Sequence, residues 1–310
     1  MSKYPIKKEF FPFNNFTPPI SEGFLKMSVP FMKVPRFLFK DKELNVERVE
    51  IASYDNEKVE CFFMSPKGIG DNAPCLIYIH GGGFVLPAAG YHYKNAMRYA
   101  KEVECKVFFI NYRLAPKHPY PVFFEDCYAG YCYVCDNASE LGVDINRIGI
   151  GGDSAGSTLS VGVCMMAKDR QYPVMPIFQM LPYPFLDMRG VSESNKKYTD
   201  TPMWNSSLSA RITPMTKVDK ANPNYKYYSP VEADSLSGLP PAYIEPAEFD
   251  CLHDDGIIYA ERLKAEGVEA VINETEGTMH GFDIVQNAPT TKLALSARIA
   301  YMRKMFYTEN

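Results

Sequence analysis

Short apolar runs alternate with amphipathic stretches along most of this chain. Residues 46–54 and 59–64 read as strands around a turn at Asp55-Asn56, and the simplest arrangement for them is an antiparallel pair. Beyond them the runs 75–79, 105–111, 147–151, 176–181, 242–245 and 269–272 are apolar without a polar alternation. Helical patterns fill 93–102, 123–137, 158–168, 254–266 and 290–306. Unalternated strands separated by helices predict a parallel sheet buried on both faces, hence an α/β architecture.

Two regions break this rhythm. Residues 1–45 carry Phe10, Phe11, Phe13, Phe16, Phe24, Phe31, Phe37 and Phe39, interrupted by Pro12, Pro18, Pro19, Pro30 and Pro35. The prolines forbid one long helix, so short helical pieces are expected. These would either cover a cleft as a lid or simply close one edge of the core. Residues 187–239 are long, polar and rich in Ser, Thr, Asn and Pro, with Trp204 near the middle. A connection of that length is uncommon without a function, which suggests an insertion that helps build a lid.

Composition narrows the class. The chain has 310 residues, a hydrophobic fraction of 46% and a net charge of −4, so no basic field invites nucleic acid or anionic lipid. No run of about 18 apolar residues is present, and the amino terminus lacks the apolar stretch of a leader. A cytoplasmic location is the expectation. The eight cysteines fit it: several fall inside expected strands or helices, and the Cys132/Cys135 pair sits in a helical pattern with no second pair at zinc-site spacing. They read as reduced and structural, and no metal site is expected.

The chemistry concentrates in Gly152-Asp153-Ser154-Ala155-Gly156, between an apolar run and a helical pattern. Strand, sharp turn and helix form the context in which a serine is exposed at the tip of a strained elbow. Ester hydrolysis also needs a base, a group that orients the base, and donors for the oxyanion. Of the five histidines, His280 follows the last expected strand and satisfies the order Ser, acid, His; His92 and His118 precede Ser154 and break it. Asp250, after the run 242–245, is the candidate acid. Its rivals are Glu248 and the pair Asp254 and Asp255, which begin a helix where a carboxylate serves as a cap or dipole partner. His80-Gly81-Gly82-Gly83 ends another strand. It lacks the Lys-Ser/Thr ending of a phosphate loop, so it reads as an oxyanion loop with donors at the amides of Gly81, Gly82 and Ala155. His80 itself is expected to brace the loop.

These motifs, with Tyr112-Arg113-Leu114-Ala115-Pro116, Ser237-Gly238-Leu239-Pro240-Pro241 and His280-Gly281-Phe282, resemble the hormone-sensitive-lipase-like family of α/β-hydrolases, in the branch whose elbow reads G-D-S-A-G. The resemblance spans about residues 75–285. It implies an α/β-hydrolase fold: a mostly parallel eight-stranded sheet flanked by helices, with a cap from the amino-terminal segment and an insertion after the sixth strand. The domains would be 1–45 (cap segment), 46–186 with 240–310 (catalytic), and 187–239 (cap insertion). It also implies hydrolysis of short-acyl carboxylic esters by Ser154, Asp250 and His280 without a cofactor. Where the family's acid is commonly followed by Pro-Leu, this chain has Cys251-Leu252, which keeps the register. The expected partner is a small-molecule ester; a homodimer through a sheet edge or terminal helix is an option the family allows. Phe84, Tyr183, Trp204 and Tyr228 are candidates for the substrate lining, with ordinary packing as the alternative. A non-catalytic ligand receptor and an amide hydrolase are the competing functions on the same scaffold.

Overall fold

The computed structural model describes residues 3–28, 32 and 41–308. Phe31, Phe37, Phe39, Pro30 and Pro35 lie outside the described residues. Strands β1 (Leu44–Ala52) and β2 (Lys58–Pro66) form an antiparallel pair, in register from Leu44 opposite Pro66 to Ala52 opposite Lys58. They are followed by β3 (Ala73–Ile79), β4 (Lys106–Asn111), β5 (Val143–Gly152), β6 (Gln179–Pro182), β7 (Ala242–Glu245), β8 (Ala247–Phe249), β9 (Ala270–Ile272) and β10 (Thr275–Met279). Eight of these make one sheet in the order β1-β2-β4-β3-β5-β6-β7-β9, and within it β2 alone runs against the rest. The mostly parallel sheet expected from the apolar runs is therefore present.

The helices are α1 (Glu22–Ser28), α2 (Gly90–Val103), α3 (Val122–Asp136), α4 (Ala155–Asp169), α5 (Glu193–Lys197), α6 (Ser206–Ile212), α7 (Tyr225–Tyr228), α8 (His253–Ala265) and α9 (Pro289–Tyr307). The faces of β3 show why its run lacks polar alternation. Cys75, Ile77 and Ile79 join the core shared with α3, α4 and α8, whereas Leu76 and Tyr78 join the core shared with α2 and α9. Both faces are covered, so both must be apolar.

The irregular regions are more structured than their composition suggests. Residues 187–239 hold α5, α6 and α7. Ser192 caps α5 by accepting the Asn195 amide, and Asn205 caps α6 by accepting the Leu208 amide. The amino-terminal segment forms short helical turns at Lys8–Phe10 and Phe13–Asn15 before α1, as its prolines require. It is strapped across the insertion and the end of β10. The Lys7 amide donates to the Gly277 carbonyl (2.9 Å), the Met203 amide to Phe16 (2.6 Å) and Arg211 Nη1 to Ile20 (3.1 Å).

Two features depart, wholly or in part, from the sequence reading. Of the cap or dipole role expected of Asp254 and Asp255, the structure gives the second: Leu252 occupies the cap of α8, and both carboxylates lie within its first turn. They also bind amides at and near the start of the insertion. Asp254 accepts the Ser194 amide (2.8 Å), and Asp255 accepts those of Leu186 (3.1 Å) and Asp187 (3.0 Å). The second departure is β8 with β10, a short parallel ribbon outside the main sheet.

Candidate active site

The elbow forms because β5 must reverse into α4 within a few residues while packed against β3. A Cβ on Gly152 or on Gly156 would lie 2.1 Å from the Ile79 carbonyl oxygen, so neither position accepts a side chain. Between them Ser154 takes φ 55° and ψ −121°, a strained backbone for a residue with a Cβ. Its amide donates to the Pro182 carbonyl (3.0 Å), which anchors the turn to the end of β6.

Asp153, inside the same motif, is buried and fully engaged. Its Oδ1 accepts the Tyr78 hydroxyl (2.6 Å), and its Oδ2 lies 3.0 Å from His92 Nε2. His92 Nδ1 accepts the Ala89 amide (2.8 Å), so this ring carries its proton on Nε2 and donates to Asp153. Burial pushes the Asp153 carboxyl up, but the imidazole of His92 and the Tyr78 hydroxyl outweigh it and hold the group below the usual carboxylate range.

The ribbon of β8 and β10 brings the next two groups together. Phe249 pairs with Met279, so the residues that follow, Asp250 and His280, leave the ribbon side by side. His280 Nδ1 lies 2.6 Å from Asp250 Oδ2, and His280 Nε2 lies 2.8 Å from Ser154 Oγ. The second oxygen of Asp250 accepts the Leu252 amide (3.0 Å). All three side chains are buried. Glu248, the rival acid, uses its carboxylate on the Gly277 amide (2.6 Å). His118 makes no contact with this cluster, and His253 bridges Asp254 and Glu274.

The glycine loop approaches from the other side. A Cβ on Gly81 would meet Asp153 Oδ2 at 2.5 Å and Ser154 Cβ at 3.2 Å, so the loop lies directly against the elbow. Gly82 has φ +117°, which a side chain rarely permits. Among the described residues the amides of Gly81, Gly82 and Ala155 have no hydrogen-bond partner. His80 braces the loop: its Nδ1 donates to the Gly81 carbonyl (2.7 Å), and its ring stacks on Tyr112 at 4.3 Å. Burial pushes the imidazole of His80 down to about 3, so it is neutral.

Of the expected lining residues, two flank the imidazole. The Tyr183 ring meets His280 edge-on at 5.0 Å, and the Trp204 ring lies 5.7 Å away. Trp204 also covers the glycine loop, since a Cβ on Gly83 would be 2.5 Å from its Cη2. Phe84 and Tyr228 do not flank the imidazole and follow the packing alternative. Their rings pack on each other at 5.3 Å, with Phe84 also against Phe123 and Phe185, and they belong to the core behind the loop. Phe84 is fully buried, and its backbone has a positive φ of 66°. A separate depression of about 960 Å³ is lined by Leu25, Val85, Leu114, Arg211 and Met215 and by none of the three clustered side chains. Tyr78 and His92 on Asp153 escaped the sequence reading, because no motif links positions so far apart.

The chain is similar to known proteins in sequence and in fold. A sequence model of the alpha/beta hydrolase fold matches residues 76–284. The esterase LipI of Mycobacterium tuberculosis is 35% identical over 212 residues, covering 68% of this chain and 66% of its own. The carboxylesterase NlhH of the same organism is 36% identical over 221 residues, covering 70% and 69%. The chain thus spans about two thirds of the length of these relatives. Among solved structures, a bacterial heroin esterase superposes with a TM-score of 0.89 over 98% of this chain and 99% of that one, at 28% identity.

Proposed function

The chain belongs to the family of the alpha/beta hydrolase fold, and from that premise we propose that it is a serine carboxylesterase acting on short-acyl esters through an acyl-enzyme. The observation that carries the reading is the pair of contacts on His280, 2.8 Å to the Ser154 hydroxyl and 2.6 Å to Asp250. In the first half-reaction Ser154 Oγ attacks the ester carbonyl while its proton passes to His280 Nε2. Asp250 holds the Nδ1–H tautomer and stabilises the imidazolium that forms. The unpaired amides of Gly81, Gly82 and Ala155 serve the oxyanion, each donor typically contributing about 10²–10³ in rate. The imidazolium then protonates the leaving alcohol. In the second half-reaction a water, deprotonated by His280, releases the acid.

The reading also treats 1–45 and 187–239 as a cap over the catalytic domain formed by 46–186 and 240–310. The strap from Lys7, Phe16 and Ile20 to Gly277, Met203 and Arg211 supports it. Trp204, lying over the glycine loop and beside His280, supports a short acyl group by limiting the space there. A reducing, cytoplasmic setting fits eight free cysteines, seven of them buried. No helix among the described residues is long and apolar enough to cross a membrane.

The test is direct. Ser154→Ala should abolish turnover of p-nitrophenyl acetate in a folded protein, and a fluorophosphonate should label Ser154 alone. Retained turnover in the variant, or labelling elsewhere, refutes the assignment.

A further inference from the structure

A second set of buried charges lies behind the triad, and no step of ester hydrolysis uses it. Arg298 on α9 is 1% exposed, and Glu245 and Asp283 are fully buried. Arg298 Nε donates to both oxygens of Glu245 (3.0 and 3.1 Å), and Nη2 donates to Glu245 Oε1 (2.5 Å). Nη1 donates to Asp283 Oδ2 (2.8 Å) and to the Tyr99 hydroxyl (3.1 Å). Asp283 also accepts Asn95 Nδ2 (3.1 Å) and, on its other oxygen, the Tyr183 hydroxyl (2.7 Å). One guanidinium therefore joins two carboxylates, with every partner hydrogen-bonded. Removing such a cluster from water offsets most of its Coulombic attraction, so it adds little stability beyond what apolar packing would supply. What it does supply is a defined geometry.

The two carboxylates sit on the two segments that carry the catalytic acid and base. Glu245 ends β7, and the chain then runs through β8 directly to Asp250. Asp283 lies in the short turn Phe282–Ile284 that follows His280. Tyr183 links both segments to the imidazole. Its amide donates to the Glu245 carbonyl (2.7 Å), its hydroxyl is held by Asp283, and its ring edge rests on His280. Tyr183 has φ 33°, outside the relaxed regions for a side-chain-bearing residue, and such a conformation persists only where its surroundings impose it. The β8–β10 ribbon sets the spacing of Asp250 and His280 from one side. Arg298 closes the frame from the other.

We propose that Arg298 is a positioning residue for the catalytic imidazole: it ties Glu245 to Asp283 and, through Tyr183, holds His280 at hydrogen-bond distance from Ser154. This rests on the triad reading above. Arg298 touches no reacting atom, so its loss should lower kcat and leave KM nearly unchanged.

The experiment compares Arg298→Lys, Arg298→Met, Asp283→Asn and Tyr183→Phe in the full chain. Turnover of p-nitrophenyl acetate is expressed per serine titrated with a fluorophosphonate, and the downfield proton resonance of the His280 Nδ1–H is followed with ¹⁵N-labelled histidine. Asp283→Asn and Tyr183→Phe should each lower kcat by about tenfold, in line with a displacement well under 1 Å at a reacting group. KM should stay within about twofold, and the Nδ1–H resonance should move or broaden. Arg298→Lys should keep more activity than Arg298→Met. A lowered melting temperature with kcat and the resonance unchanged would show a purely structural brace and overturn the proposal. If the Arg298 variants do not fold, Tyr183→Phe decides, since it removes one hydroxyl and leaves the ring. Ser154→Ala runs alongside: turnover there would overturn the triad reading itself, an outcome separate from active positioning variants beside a dead Ser154→Ala.

Discussion

Replacing Gly156 with alanine sets helix propensity against close packing, and the structure decides the sign. Gly156 lies in the first turn of α4, where alanine is favoured over glycine by about 1 kcal/mol on propensity alone. The added methyl would meet the Ile79 carbonyl oxygen at 2.1 Å and the His80 carbonyl carbon at 2.9 Å, all of it backbone. Ordinary contact begins at 3.4 Å, so β3 and the start of α4 must part by more than 1 Å. Overpacking of this kind destabilises by about 1–3 kcal/mol, which matches or exceeds the propensity gain and leaves a net loss of up to roughly 2 kcal/mol. In a chain of 310 residues that lowers the melting temperature by up to about 3 °C. The larger effect is on catalysis. Ile79 and His80 lead straight into the glycine loop, so the displacement separates the proposed oxyanion donors from Ser154. A shift of about 1 Å at such a site lowers the rate by about 10²-fold. Melting curves and p-nitrophenyl acetate kinetics, normalised by fluorophosphonate titration, measure both effects. A variant with a raised melting temperature and full kcat would show that the elbow has room, and the close-packing argument would fail.

Other outcomes follow from the same geometry. His80 stays neutral in the folded chain down to about 3, whereas the unfolded chain protonates it near 6.5. The unfolded state therefore binds more protons in that interval, and stability falls with falling pH, by about 2 kcal/mol from this residue between pH 7.5 and 5. His80→Asn should flatten that dependence in urea titrations, and parallel wild-type and variant curves would contradict it. Arg113→Ala leaves the fully buried Asp126 carboxylate without its charged partner, and urea unfolding should show a loss of about 3–5 kcal/mol; a change under 1 kcal/mol would refute the pairing. Trp204 is the single tryptophan of the chain, so intrinsic fluorescence reports on it alone. Its emission should change when Ser154 is acylated, and Trp204→Ala should improve octanoate over butyrate esters by about tenfold, the scale of a pocket contact. An unchanged acyl-length profile would remove Trp204 from the lining.

The order of the main strands and helices was legible before any fold was known, and so were the candidate positions for chemistry. Central strands such as β3 must be apolar on both faces, and that necessity is written in the run Cys75 to Ile79. The glycines around Ser154 are equally visible, because a turn that tight leaves no alternative residue. The tertiary structure decided what depends on contacts between distant positions. The ribbon that sets Asp250 beside His280 is too short to mark itself by periodicity; it exists because each strand supplies the other's hydrogen bonds. Whether Glu248 or Asp250 faces the imidazole turned on which way each carboxylate points from that ribbon. The inward turn of Phe84 and the frame around Arg298 were likewise invisible, since burial and ion pairing belong to the assembled core and not to any local stretch of chain.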